Sequence, residues 1–429
     1  FEGSRTFKGM IYLDAGDKGT ASNPIVISSY GIGRATIQPG TLVGLLAYNT
    51  AGIEVSDLNF LGAPGTKDGI QFYTDLPGDK KLSHIRIDRV EVSGFGSAGI
   101  SIFGAAGNTG YDDVHITDVA SHDNVMAGMW MGSFLAPTFT GYAHKNVYIG
   151  NSKFYKNTGR TDFVTVSGFG IFLASTDGAV IENNVVNNNG EKTFSIAGPI
   201  GIMTMEANGL LVQNNEVHHM HSPWNDGGGI AFDGGITNSV MQYNYIHDND
   251  GSGINLAQYY PVRVNFSNNI VRYNISQNDG RKSLSWAGIV IAGPAQSSQI
   301  YNNTVYGTTN AFGTYAALLI TGQTTNLNIR NNVFITQGGT GGLQQASVDA
   351  GQKNMVLQNN AYWGSGSRLN LKWSGTSATT LSDFRRISGQ ETFNGLPVGL
   401  ETDPKLTAPG TGPTFDDTRL LSRLTNYTP

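Results

Sequence analysis

Three acids stand where the sequence could do acid–base chemistry. Asp233 lies in Phe232-Asp233-Gly234-Gly235, where two glycines leave room for a backbone or a ligand beside the carboxyl. Most Asp-Gly pairs are plain turns in which the acid bonds its own backbone, so a structural reading stands beside the chemical one. Glu206 falls one repeat earlier in the pattern described below. Carboxyls about 5 to 9 Å apart suit glycoside hydrolysis, in which one acid protonates the leaving oxygen and the other attacks the sugar or activates water. Asp226 is the third catalytic candidate. Its triplet Asn225-Asp226-Gly227 recurs as Asn249-Asp250-Gly251, which should bring Asp226 and Asp250 one coil apart. Two such acids raise a pKa, bind a cation or splay into water; calcium is the ion that oxygen ligands would hold.

Around these acids sit the residues expected to hold a substrate: Trp130, Phe172, His218, Trp224, His247, Asp250 and Asn255. Exposed rings offer platforms for sugar faces, and a contiguous outward apolar patch marks a binding surface unless a long loop covers it. The stretches Phe134 to His144 and Met220 to Asp226 are long enough to provide such a cover. His218 and His247 align on adjacent coils, with His219 and His221 close by. Their spacing matches no standard zinc pattern, so hydrogen bonding to substrate is expected and no metal site is.

The elements that must position these residues form a repeat. One half is Gly-Ile-x-apolar, as in Gly69-Ile70-Gln71-Phe72, Gly99-Ile100-Ser101-Ile102, Gly229-Ile230-Ala231-Phe232 and Gly288-Ile289-Val290-Ile291. The other is apolar-x-Asn-Asn-x-apolar, as in Ile181-Glu182-Asn183-Asn184-Val185-Val186 and Ile300-Tyr301-Asn302-Asn303-Thr304-Val305. Apolar residues two apart mean strands, and Asn or Gly between them tolerates the left-handed backbone of a tight corner. Copies stacked one coil apart bury a column of Ile, Val and Leu. The prediction is an all-β, single-stranded right-handed parallel β-helix (a solenoid) with capped ends. It spans residues 1–372, and 373–429 forms a short C-terminal capping extension packed on the helix. A β-sandwich or propeller would not produce the alternating pair of signatures. The Asn run 183, 214, 268, 302, 331 and 359 is expected to pass amide hydrogen bonds between coils. Ser382 and Gly389 bracket one short helix, and the rest of the tail reads as extended.

In the Gly-Ile strand the residue after Ile points outward, which places Gln71, Ser101, Trp130, Phe172, Met203, Ala231 and Asn255 in one row. A second row runs Tyr73, Phe103, Gly132, Ala174, Met205, Asp233 and Ala257.

Composition agrees with many short strands: 57 glycines and only 14% charged residues among 429. A net charge of −5 lacks the basic footprint of nucleic-acid or anionic-membrane binding. Zero cysteines exclude disulfides and thiolate chemistry and accord with a secreted or periplasmic protein. Phe1 to Lys8 does not read as a signal peptide, as expected of a mature form.

Over roughly residues 7 to 370 these coils resemble the pectate-lyase-like superfamily of right-handed β-helix proteins. The resemblance implies a polysaccharide lyase or glycoside hydrolase, although epimerases, phage tailspikes and adhesins share the fold. Hydrolysis of a neutral or weakly acidic glycan is expected, without a required cofactor. β-Elimination and non-catalytic glycan binding are the alternatives. A lyase needs a basic residue at the site, whereas Lys156, Arg160, Arg272, Arg281 and Lys282 are expected on other edges. The strings Gly-His-Gly, of polygalacturonase-like enzymes, and Asp-Pro-His-Glu, of mannuronan-epimerase-like ones, are absent. The resemblance also leads one to expect an acid at the first outward position, where this chain has Ala231.

Overall fold

The computed structural model describes residues 1–63, 65–135, 138–162, 166–195, 197–258, 263–282, 286–338, 342–366 and 368–428. They form a right-handed parallel β-helix in two compact units, Phe1–Leu211 with Ser222–Trp224, and Val212–His221 with Asn225–Pro429.

In the first unit the Gly-Ile strands stack in register, with Ile70 on Ile100, Ile100 on Met129 and Met129 on Ile171. In the second unit Ile230, Ile254, Ile289, Leu318, Ala346 and Leu371 form the corresponding column. All of these residues are buried. Each Ile or Leu so removed from water contributes about 2 kcal/mol, and the period of two leaves the next residue on the outer face.

The Asn-Asn corners divide the labour differently from the expectation. Asn183, Asn302 and Asn331 hold the left-handed corner, with φ of 56° at each. Asn359 still donates to Asn331 at 2.9 Å along the rim, as expected, but the buried amide ladder runs through the Asn that follows each corner, which Tyr243 and Tyr273 hold where no first Asn is present. In the second unit Asn215 donates to Asn244 at 2.9 Å, Asn244 to Asn274 at 2.9 Å, Asn274 to Asn303 at 3.0 Å, Asn303 to Asn332 at 2.9 Å and Asn332 to Asn360 at 3.0 Å. Asn360 ends the chain of bonds by donating to Glu391 Oε1 at 2.8 Å. In the first unit Asn124, Asn157 and Asn189 do the same. The first Asn spends its backbone freedom on the corner, which turns its side chain to the rim; the second is back in the coil and points inward.

Phe7 pairs with Ile37 in the opening coil, as the sequence suggests. At the other end a helix runs Leu381–Ser388, with Thr380 rather than Ser382 as its N-cap, since the Thr380 hydroxyl accepts the Asp383 N–H at 3.0 Å. Gly389 closes it in a left-handed conformation, and buried Phe384 packs on Tyr362 and Trp373. The remaining tail is not wholly extended, because Thr418–Arg423 forms a 3-10 helix. It lies along the second unit, with Tyr427 packed on Tyr306 and Ile335. Among the described residues no helix is long and apolar enough to cross a membrane.

Candidate functional site

The first unit carries the aromatic face. Trp130 follows Met129 in its strand, so the two-residue period turns it outward, and it stacks on Phe172 of the next coil at 4.0 Å and 14°. That stack covers Phe172, which is only 8% exposed; Trp130 is left as the accessible ring and Phe172 as its support. Beside them Tyr48, Tyr73 and Phe103 form a stacked ladder at 6.0 and 6.1 Å, and Phe134 sits edge-on against Phe103. A cavity of about 240 Å³ opens between Asp68, Gln71, Tyr73, Ser101, Phe103 and Trp130. Asp68 was not singled out by sequence, though it directly precedes Gly69-Ile70, and burial raises its pKa. Its oxygens accept the Ala98 N–H at 2.9 Å and the Gln71 amide at 2.8 Å.

Glu206 also belongs to the first unit. Its strand runs Ile200–Gln213, with buried Glu206 at a left-handed bend of φ 44° inside it. Trp224, 58% exposed, leans on Phe194 at 5.1 Å within the same unit. The loop from Phe134 to His144 includes residues 136–137, which lie outside the described residues.

Asp233, Asp226, Asp250 and Asn255 belong to the second unit. Asp233 closes the Gly228–Asp233 strand opposite Ala257. Gly234 and Gly235 follow with φ of 61° and 70°, a pair of left-handed residues that turns the chain away directly behind the acid. The half-buried Asp233 carboxyl has its pKa pushed up to about 7, first by burial and then by the charge of Asp226. The repeated triplets are in register, with the Gly251 N–H donating to Gly227 O at 2.8 Å. Asp250 resolves its expected repulsion with a cation from the chain itself: Lys282 reaches it at 2.6 Å and His221 at 3.5 Å. Lys282 is therefore beside this acid and not on another edge, because the following coil projects it back over Asp250. Asn255 stands between Ala231 and Val290 on the outward row, nine-tenths buried, and its Oδ1 has no hydrogen-bond partner among the described residues. Ala231 itself is buried.

His218 and His247 do stack on adjacent strands, at 4.8 Å and 9°, but neither faces open solvent. The C-terminal segment covers them: Asp416 Oδ1 lies 3.1 Å from His218 Nε2, and the Phe415 N–H donates to Glu216 Oε1 at 2.7 Å. With 2% and 0% exposed, they are shielded from a sugar by the chain's own tail, which corrects their assignment to substrate. Burial, together with neighbouring His247, lowers the pKa of His218 to about 4. For His247 burial acts the same way, but hydrogen bonds to Asp248 and Glu216 outweigh it and raise the pKa. Glu216 was missed by sequence, since its partners come from a coil later and from about 200 residues away.

A family model described as a right-handed beta helix region matches residues 139–334. Among solved structures the chain is similar to the GH136 lacto-N-biosidase from Eubacterium ramulus. For the selenomethionine derivative the TM-score is 0.55 at 16% identity, covering 84% of this chain and 61% of that one. For the native protein it is 0.50 at 15% identity, covering 70% and 57%. The chain thus spans about three fifths of that enzyme's length. The A-module of the Azotobacter vinelandii mannuronan C-5 epimerase AlgE4 aligns with a TM-score of 0.49 at 15% identity, over 81% of this chain and 91% of that one. No curated protein matches the chain by sequence. The stacked coils, the matched family model and the likeness to the lacto-N-biosidase agree that the chain has a right-handed parallel β-helix fold.

Proposed function

We propose that this protein is an extracytoplasmic enzyme that hydrolyses a polysaccharide, with Asp233 as the proton donor and Asp226 as its partner carboxylate. The observation that carries this reading is the Asp233 carboxyl, half-buried at a strand end and with a pKa of about 7. Such an acid is about half protonated at pH 7 and can hand its proton to a leaving glycosidic oxygen. Asn255, one strand on, carries a buried amide oxygen without a partner among the described residues, and its assignment to the substrate needs that oxygen to be uncovered. Asp250, held by Lys282, is a candidate for a second polar contact. Acid and base of this kind need no cofactor. The lacto-N-biosidase with this fold lends support for sugar chemistry, and Trp130 supplies a platform of the type sugars stack on. Glu206 remains a candidate acid on sequence grounds, tested by its own Gln variant.

The test is incubation of the purified chain with a panel of plant, algal and bacterial glycans. New reducing ends that disappear in Asp233→Asn are the expected result. An unsaturated uronate chromophore would replace hydrolysis with elimination, and a panel without any product would leave a glycan-binding protein.

A further inference from the structure

We propose that Glu216, His218 and His247 form a structural binding site for a zinc-like transition-metal ion, which clamps the C-terminal segment onto the second unit. All three are buried, in the strands Glu216–His218 and Tyr245–His247, and one ligand atom of each lies within 4.8 Å of the others. The independent observation is Glu216 Oε2, fully buried and without a hydrogen-bond partner among the described residues. A carboxylate oxygen left unpaired in the interior is costly, and a cation between it and two imidazoles would satisfy it.

The chemistry of the donors selects the ion. Two imidazole nitrogens and a carboxylate suit Zn²⁺ or a neighbouring first-row metal, whereas Ca²⁺ and Mg²⁺ demand shells of oxygen. Glu216 Oε1 lies 3.4 Å from His247 Nε2, which matches the edge of about 3.3 Å expected between two ligands of a tetrahedral Zn²⁺ with bonds near 2.0 Å. His247 is already oriented from behind, because its Nδ1 is held by Asp248 Oδ2 at 2.9 Å, the carboxylate–histidine arrangement that fixes a metal-bound ring. Asp416, with Oδ1 3.1 Å from His218 Nε2, is placed to supply a fourth ligand from the C-terminal segment. Since Phe415 and Asp416 come from that segment and the triad from the coils, the ion would tie together parts of the chain about 200 residues apart.

The experiment uses the whole chain, stripped with chelator and titrated at pH 7.5 with ZnCl₂ by calorimetry and with CoCl₂ by visible absorption. One Zn²⁺ per chain with sub-micromolar Kd, a cobalt d–d spectrum of tetrahedral intensity and a rise in Tm on zinc addition are expected. His218→Asn should weaken the binding at least about 100-fold, and Asp248→Asn by about 10- to 100-fold. Asp416→Asn, at an exposed position, should abolish the protection of the C-terminal segment from proteolysis that zinc confers. A wild-type chain that takes up neither ion overturns the proposal whether or not the variants fold. Undiminished binding by folded His218→Asn overturns it equally, since the ion would then sit elsewhere.

Discussion

Replacing Asp233 by Asn separates the role of its carboxyl from its place in the fold. Asp233 has a pKa of about 7 in the folded protein against 3.8 for the ordinary group. A rise of that size represents about 4 kcal/mol of penalty on the ionised form, and partial exposure to solvent cuts this to roughly 2 kcal/mol. The direction follows from proton binding. Between pH 3.8 and about 7 the folded chain holds a proton that the unfolded chain has released, so this site's contribution to stability falls with rising pH across that window. Below the window it is fully present, and above about pH 7 it is lost. Asn imitates the protonated acid at every pH. Asp233→Asn should therefore match the wild type at pH 4 and melt higher at pH 8, by a few degrees for about 2 kcal/mol. Activity should move the other way, with kcat/KM on a responsive glycan falling about 10²- to 10⁴-fold as expected for loss of a general acid. Melting curves across pH 4 to 8, followed by reducing-end assays, check both. An Asn variant that is less stable than wild type at pH 8, or that keeps more than a tenth of the activity, would refute the assignment of Asp233 as a buried proton donor.

Three further outcomes follow from the geometry. Because Asp226 is the second cause of the raised Asp233 pKa, Asp226→Asn should lower that pKa in an NMR titration of the Asp233 carboxyl; an unmoved midpoint would show that the two acids do not interact. Trp130→Ala, which removes the accessible ring of the aromatic stack, should raise KM about 10-fold with kcat nearly retained, and unchanged glycan affinity in calorimetry would exclude that face from binding. The two Asn of one corner should respond oppositely. Asn302→Gly keeps the left-handed corner at φ 56° and should stay within about 0.5 kcal/mol of wild type. Asn303→Leu breaks the ladder between Asn274 and Asn332 and should cost about 3 kcal/mol in denaturant unfolding; equal effects at the two positions would refute the division of roles.

The β-helix was legible because its signal is short-range and repeated. Ile and Val two apart specify a strand, Asn and Gly specify a left-handed corner, and many copies of one pattern leave a single register in which every apolar column is buried. The outward direction of Trp130 and Asp233 follows from the same period of two. The registers of His218 on His247 and of Gly227 on Gly251 could also be read by counting. Counting does not reveal what lies over a residue once the coils are stacked. The C-terminal segment buries His218 and His247, Trp130 covers Phe172, and Lys282 neutralises Asp250, each through a neighbour one coil or many coils distant. The expected bond between Asn331 and Asn359 forms, but the buried ladder one residue on was missed, because both members of each pair are the same amide in the sequence and only the backbone φ tells which one turns the corner. The sequence by itself determined the strands, most corners and the alternation of faces along each Gly-Ile strand, since these depend on residue type and parity. Burial, ionisation and the partners of Asp233 and Glu216 were decided by the tertiary structure, because desolvation and charge act through space between residues that the chain order keeps apart.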